Sequence, residues 1–139
     1  MGEFIVNILK SDFFINLLMS LATGGYMGIV VSKAVAFSNI KKEALRIVRT
    51  IDTLGPNGSV FHKTENITNL LLLSSELLGL KHKKASGVIN NVFNDINNEI
   101  FSPSLDSSIR DKILANAQKS IRTLPPSKIV LFNPIDFSL

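Results

Sequence analysis

Apolar and polar residues along this chain follow helical spacing in four successive segments, and ahead of those segments runs a stretch with no charge at all. Phe13 to Ser32 is twenty consecutive uncharged residues, bracketed by Asp12 and Lys33. A helix of that length rises about 30 Å, the thickness of bilayer hydrocarbon. Residues 13–37 are therefore predicted to form a single transmembrane helix behind a short flank, 1–12. Asn16, Ser20, Thr23, Tyr26 and Ser32 dilute the run. The same pattern thus also suits a helix buried in a soluble assembly. A cleaved leader is a third reading, since Ala34-Val35-Ala36 has small-x-small spacing, although the run exceeds the usual apolar core of a leader.

Residues 38–124 read as a helical domain of about four amphipathic helices. In 39–54 the apolar positions Ile40, Ala44, Ile47, Val48, Ile51 and Leu54 trace one face. Leu54-Gly55-Pro56-Asn57-Gly58-Ser59 is the clearest break, since Gly and Pro punctuate helices. A second helix is predicted over 64–80, capped by Thr64, with a leucine run broad enough to be buried on more than one flank. The cleanest periodicity lies in 84–101, at Ala85, Val88, Ile89, Val92, Phe93, Ile96 and Ile100. Asp95 and Glu99, one turn apart there, read as a solvated pair. The last helix begins near 105–108 and presents Ile109, Ile113, Leu114, Ala117, Ile121 and Leu124, with Ser108 and Asp111 as its start signal. Pro125-Pro126 ends it. Residues 125–139 are predicted to form an extended tail in which 129–132 suits either a short strand or an extended apolar strap. The tail's apolar residues, Ile129, Val130, Leu131, Phe132, Ile135 and Phe137, suit insertion into a partner groove or docking on the chain's own helices.

Two patterns within the first 50 residues bear on attachment. Ser20, Gly24, Gly28 and Ser32 recur at every fourth position, so on a helix they form one flat stripe that another helix backbone can approach closely. Lys33, Lys41, Lys42, Arg46 and Arg49 follow the apolar run against a single acid, Glu43. Bases next to a span are retained in the cytoplasm, which predicts that the C-terminal domain is cytoplasmic. These five residues are candidate topology or lipid-facing bases. The whole chain carries +4, but from residue 50 onward nine bases nearly balance eight acids. This is too local an excess for a nucleic-acid footprint, and no partner of that kind is predicted.

Candidate chemistry changes the picture little. The chain has no cysteine, which excludes thiol catalysis, disulfides and Cys-ligated metal. His62 and His82 stand apart with no H-x-x-x-H spacing and read as solvated or capping residues, so no metal is predicted. Gly24-Gly25-Tyr26-Met27-Gly28 lacks the phosphate-loop arrangement, and no nucleophile elbow occurs. No catalytic residue and no cofactor are predicted.

The expected fold is all-α: one N-terminal transmembrane helix, a small helical bundle and an extended tail. The expected role is a noncatalytic membrane-anchored accessory or assembly protein that docks its bundle on a membrane complex, with a second copy of the chain among the candidate partners. The alternative is a soluble helical-bundle interaction protein, with 13–37 buried in its own core or in an oligomer interface.

Overall fold

The computed structural model describes residues 12–54, 60–103, 106 and 108–133. The described chain is mostly helical. Helix α1 runs without interruption from Asp12 to Thr50, 39 residues or about 58 Å. It thus joins the apolar run and the first amphipathic segment in one rod. No proline interrupts 12–50. Asp12 in the first turn and Arg49 in the last complement the helix dipole.

After Thr50 the chain departs from the helical expectation. Residues 52–54 form strand β1 (Asp52–Leu54), which pairs antiparallel with β2 (Val60–His62), Thr53 opposite Phe61. The fold is therefore helical with one small hairpin. Ile51 and Leu54 keep a three-residue spacing that satisfies either reading, yet only Ile51 is buried. The break at 55–59 connects the two strands and lies outside the described residues.

Helix α2 (Asn69–Gly79) starts five residues later than expected. Thr64 does not cap it; its carbonyl accepts from Ile67 N–H in a preceding run of tight turns. Helices α3 (Lys83–Phe101) and α4 (Ser108–Arg122) follow. Asp106 supports the start of α4: its carboxylate accepts from the Ser108 N–H at 2.9 Å and the Ser108 hydroxyl at 2.8 Å. Those bonds hold the Asp106 carboxyl below the usual range. The last described element is not a strand. Residues Lys128–Phe132 form a short helix, α5, which lies against α1 rather than joining the two-stranded sheet.

The α2–α3 junction is closed by a Schellman turn. His82 N–H donates to the Leu77 carbonyl at 2.8 Å and Lys81 N–H to that of Leu78 at 2.9 Å. Lys81 supplies the left-handed residue, φ 62°, that such a turn requires. The helices then pack through Leu70, Leu73 and Leu77 against Ala85, Ile89, Val92 and Ile96. Within that layer the Ser74 hydroxyl donates to the Ser86 carbonyl at 3.0 Å. The leucine run is buried on one flank only, because Leu71, Leu72 and Leu78 are exposed.

Helix α1 supplies the opposing wall with Phe37, Ile40, Ala44, Ile47, Val48 and Ile51, and α4 closes the core with Ala117 and Ile121. Across α3 and α4, Arg110 Nε lies 3.1 Å from Glu99 Oε1, both side chains buried. Glu99 is thus not half of a solvated acidic pair.

Candidate functional site

The buried positions of α1 are Val30, Lys33, Phe37, Ile40, Ala44, Ile47 and Val48. Their steps of three and four residues, with Ile47 and Val48 both one turn on from Ala44, mark the single face on which the bundle sits. On the N-terminal side of Val30 no described residue of α1 is buried, and only Phe14, Tyr26 and Ile29 are half-buried. Ile15, Leu17, Leu18, Met19 and Leu21 are exposed in every direction around the axis. The most apolar 18-residue window of α1 has a mean hydropathy of 1.6, and none of it is buried. Its length and composition suffice to cross a membrane. Among the described residues, the core therefore does not take up this segment, although Val30, Lys33 and Phe37 do belong to the bundle face.

The base of the apolar segment is a built junction. Helix α5 lies along α1 through buried Leu131. Three α1 side chains reach across to carbonyls near the C-terminus of the chain. Tyr26 Oη donates to Phe132 O at 2.9 Å. Lys33 Nζ donates to Val130 O at 3.4 Å and Asn133 O at 3.3 Å. Lys41 Nζ donates to Leu124 O at 3.0 Å. Carbonyls at a helix end lack intrahelical donors, and a lysine there satisfies them and complements the dipole. Lys33 is only 3% exposed, so it is not a lipid-facing base, and Lys41 is likewise occupied in holding α4's exit.

His82 is also inside rather than solvated. Its ring packs against Phe37 with centroids 4.7 Å apart, and its Nδ1 accepts from the Ser127 N–H at 3.1 Å. Burial, with the nearby Lys33 charge adding to it, pushes the His82 pKa below the ordinary value. The neutral ring is what the site requires, since a protonated Nδ1 cannot accept from Ser127. The unfolded chain therefore binds this proton first. Stability from the contact is full above about pH 6.5 and falls as the pH drops through that value. Thermal denaturation is expected to shift downward between pH 7.5 and 5. In His82→Asn, whose amide oxygen offers an acceptor that does not titrate, the shift should shrink. Parallel curves for the two proteins would remove His82 as its source.

Beside this junction lies a cavity of about 510 Å³ whose lining includes Lys81, Lys83, Lys84, Pro126 and Ile129. The remaining candidate bases sit elsewhere. Lys42, Arg46 and Arg49 line a shallow depression on the outer side of α1, about 15, 21 and 26 Å beyond Ser32 along the axis. Arg46 is engaged with Glu43 at 2.6 Å, which holds that carboxyl below its usual range.

The small-residue stripe points away from all of this. At 3.6 residues per turn, Ser20, Gly24, Gly28 and Ser32 lie nearly opposite the bundle face. All four are exposed, and a Cβ built on Gly24 or Gly28 would meet nothing within 4 Å. The tail candidates divide: Leu131 is buried against α1, Val130 is half-buried, Ile129 and Phe132 are exposed, and Ile135 and Phe137 lie outside the described residues. Among the described residues, no three His, Asp or Glu side chains gather into a potential metal site.

Sequence reasoning missed the roles of Lys33 and His82. The Lys33 signal was present, because counting back from Ile40 and Phe37 along the apolar face arrives at Lys33 and then Val30. Compared with family models, with curated proteins and with solved structures, the chain matches none.

Proposed function

We propose that this protein is a noncatalytic membrane-anchored accessory or assembly factor. The apolar half of α1 lies in lipid, and the bundle is held at the cytoplasmic face for docking on a membrane complex. The observation that supports this most directly is the bare apolar segment. A soluble protein's core helix of this composition is largely covered, whereas this one carries Leu17, Leu18, Met19 and Leu21 uncovered on all sides. Orientation follows from the excess of bases between Lys33 and Arg49. The stripe on the far side of α1 then offers a helix-packing face that leaves the bundle unobstructed. The exposed Leu72 and Leu78 of α2 give the bundle an apolar surface of its own.

A second reading keeps the protein soluble and covers the same segment within an oligomer. The polar dilution by Asn16, Ser20 and Thr23 favours it. Alkaline-carbonate extraction of the full chain from its native cell separates the two. Retention in the membrane pellet is the expected result; complete release would leave the oligomer as the account. Because the chain has no native cysteine, the stripe is tested by single thiols. Ser20→Cys should crosslink to a neighbouring helix, while the adjacent Met19→Cys, which points toward the bundle side, should not. Equal crosslinking at both positions would remove the stripe as a preferred face.

A further inference from the structure

We infer that α5 is a second membrane-embedded element, lying on α1 in the leaflet next to the bundle and presenting Ile129 and Phe132 to lipid acyl chains. The inference rests on the membrane-anchored reading of α1 and extends the lipid contact to the C-terminal part of the chain.

Depth follows from the side chains that hold α5. Tyr26 Oη donates to Phe132 O at 2.9 Å, and Lys33 Nζ to Val130 O at 3.4 Å and Asn133 O at 3.3 Å. Tyr26 belongs to the uncharged run and sits about 10 Å before Lys33 along α1. Helical side chains lean toward the N-terminus of their helix, which carries both donors inward from their own positions. Ile29 and Val30, on the same α1 face between them, are covered where most residues before them are exposed. At its other end α5 begins after Ser127, which meets His82, and His82 packs on Phe37 about 6 Å past Lys33. Helix α5 therefore starts at the polar boundary and ends alongside the uncharged run, within the roughly 15 Å of hydrocarbon that one leaflet provides.

The end of α5 is satisfied without water. The last carbonyls of a helix have no intrahelical donors, and a tail in water would leave them to solvent. Here those of Val130, Phe132 and Asn133 are taken up by Tyr26 and Lys33. Hydrocarbon offers no donor to such groups, so a segment that enters it needs partners from protein. Lys33 is itself 3% exposed, its ammonium turned to these carbonyls rather than to solvent.

The residues of α5 follow the same gradient. Ser127 and exposed Lys128 stand at the outer end. Ile129, 83% exposed, comes next, and Phe132, 55% exposed, lies at the inner end, with buried Leu131 turned to α1. Single exposed apolar residues are ordinary. Two of them on a five-residue helix, beside exposed Met27 and Val31 of α1, continue the uncovered apolar surface of the anchor. A lipid acyl chain is the occupant that suits both.

The test uses the full chain reconstituted in phosphatidylcholine vesicles. The chain has no native cysteine, so bimane is attached singly to Phe132→Cys, to Leu21→Cys on the bare run and to Leu72→Cys on α2. Quenching by acyl-brominated phosphatidylcholine is compared with quenching by iodide in the buffer. The labels at 132 and 21 are expected to be quenched severalfold more by the brominated lipid than the label at 72, which iodide should quench instead. A label at 132 that behaves like the one at 72, while 21 still responds to lipid, would overturn the insertion of α5 and leave the anchor in place. Shielding of 132 from both quenchers would also overturn it, since the chain's own tail or a second copy would then cover this face. Absence of lipid quenching at 21 would overturn the anchor and this inference with it.

Discussion

Glu99→Ala is expected to destabilise the bundle by about 3–5 kcal/mol. The Arg110 guanidinium lies 3.1 Å from Glu99 with its side chain 3% exposed, and Glu99 itself is 6% exposed. Arginine does not shed its proton in a protein. Removing the carboxylate thus takes a buried counter-charge from Arg110 between α3 and α4, at a cavity that Val60 and Phe61 also line. Small domains have only about 5–15 kcal/mol in total, so roughly a fifth or more of the stability is at stake. Asp95, one turn away on the same helix, is exposed; Asp95→Ala should stay within about 0.5 kcal/mol. The measurement is hydrogen exchange of the slowest α3 amides in the full chain. Protection should drop by roughly two to three and a half orders of magnitude in Glu99→Ala. Replacing both partners, as Glu99→Met with Arg110→Leu, removes the buried arginine charge as well and should restore most of it. If Glu99→Ala behaves like Asp95→Ala, the pair contributes nothing to holding α3 on α4.

The second large effect concerns location rather than stability. Leu21→Lys should abolish carbonate-resistant association. Leu21 is 65% exposed and sits near the middle of the uncharged run. A lysine at a span's centre costs about 2.5–3.5 kcal/mol in insertion, enough to defeat a run already diluted by polar residues. Bundle amides should keep their protection, because Leu21 lies beyond the face on which the bundle packs. A matched control is available in Leu72→Lys on α2, with Leu72 63% exposed. It introduces the same charge at a similarly exposed leucine and should leave membrane retention unchanged. Retention of Leu21→Lys alongside Leu72→Lys would mean that the segment is held by something other than lipid.

These two residues also mark what the sequence made legible. The uncharged run containing Leu21 and the apolar faces of α1, α3 and α4 are local patterns, and periodicity reads them directly. Ile40, Ala44, Ile47, Ile89, Ile96 and Ile121 all fall in the core as their spacing implies. What escaped were pairings between segments. Glu99 has its partner eleven residues on, in another helix. His82 meets Phe37 and Ser127 from two distant segments. Strand β1 was hidden because Ile51 and Leu54 continue the helical interval, and only pairing with 60–62 distinguishes the two forms. Ile129-Val130-Leu131-Phe132 favours a strand by its side chains, yet against α1 it closes into one helical turn whose end Tyr26 and Lys33 hold. Lys33 itself was read by its charge, as a boundary, when its position in the apolar face carried the better information. Of the candidate site, the stripe's geometry was legible and the lysine cavity was not.

The unbroken course of α1 has a consequence for how the chain can change over time. The stripe at 20–32 and the bundle face from Val30 onward are cut into one rod with no hinge between them, so their relative angle is fixed by residue count alone. Adding or losing one residue between Ser32 and Phe37 would swing the bundle about 100° around the helix axis. A change of seven, close to two full turns, would leave it within about 20°. Whatever neighbour the bundle meets, the length of this helix is a rotational setting, and neutral drift in it is confined to near-whole turns.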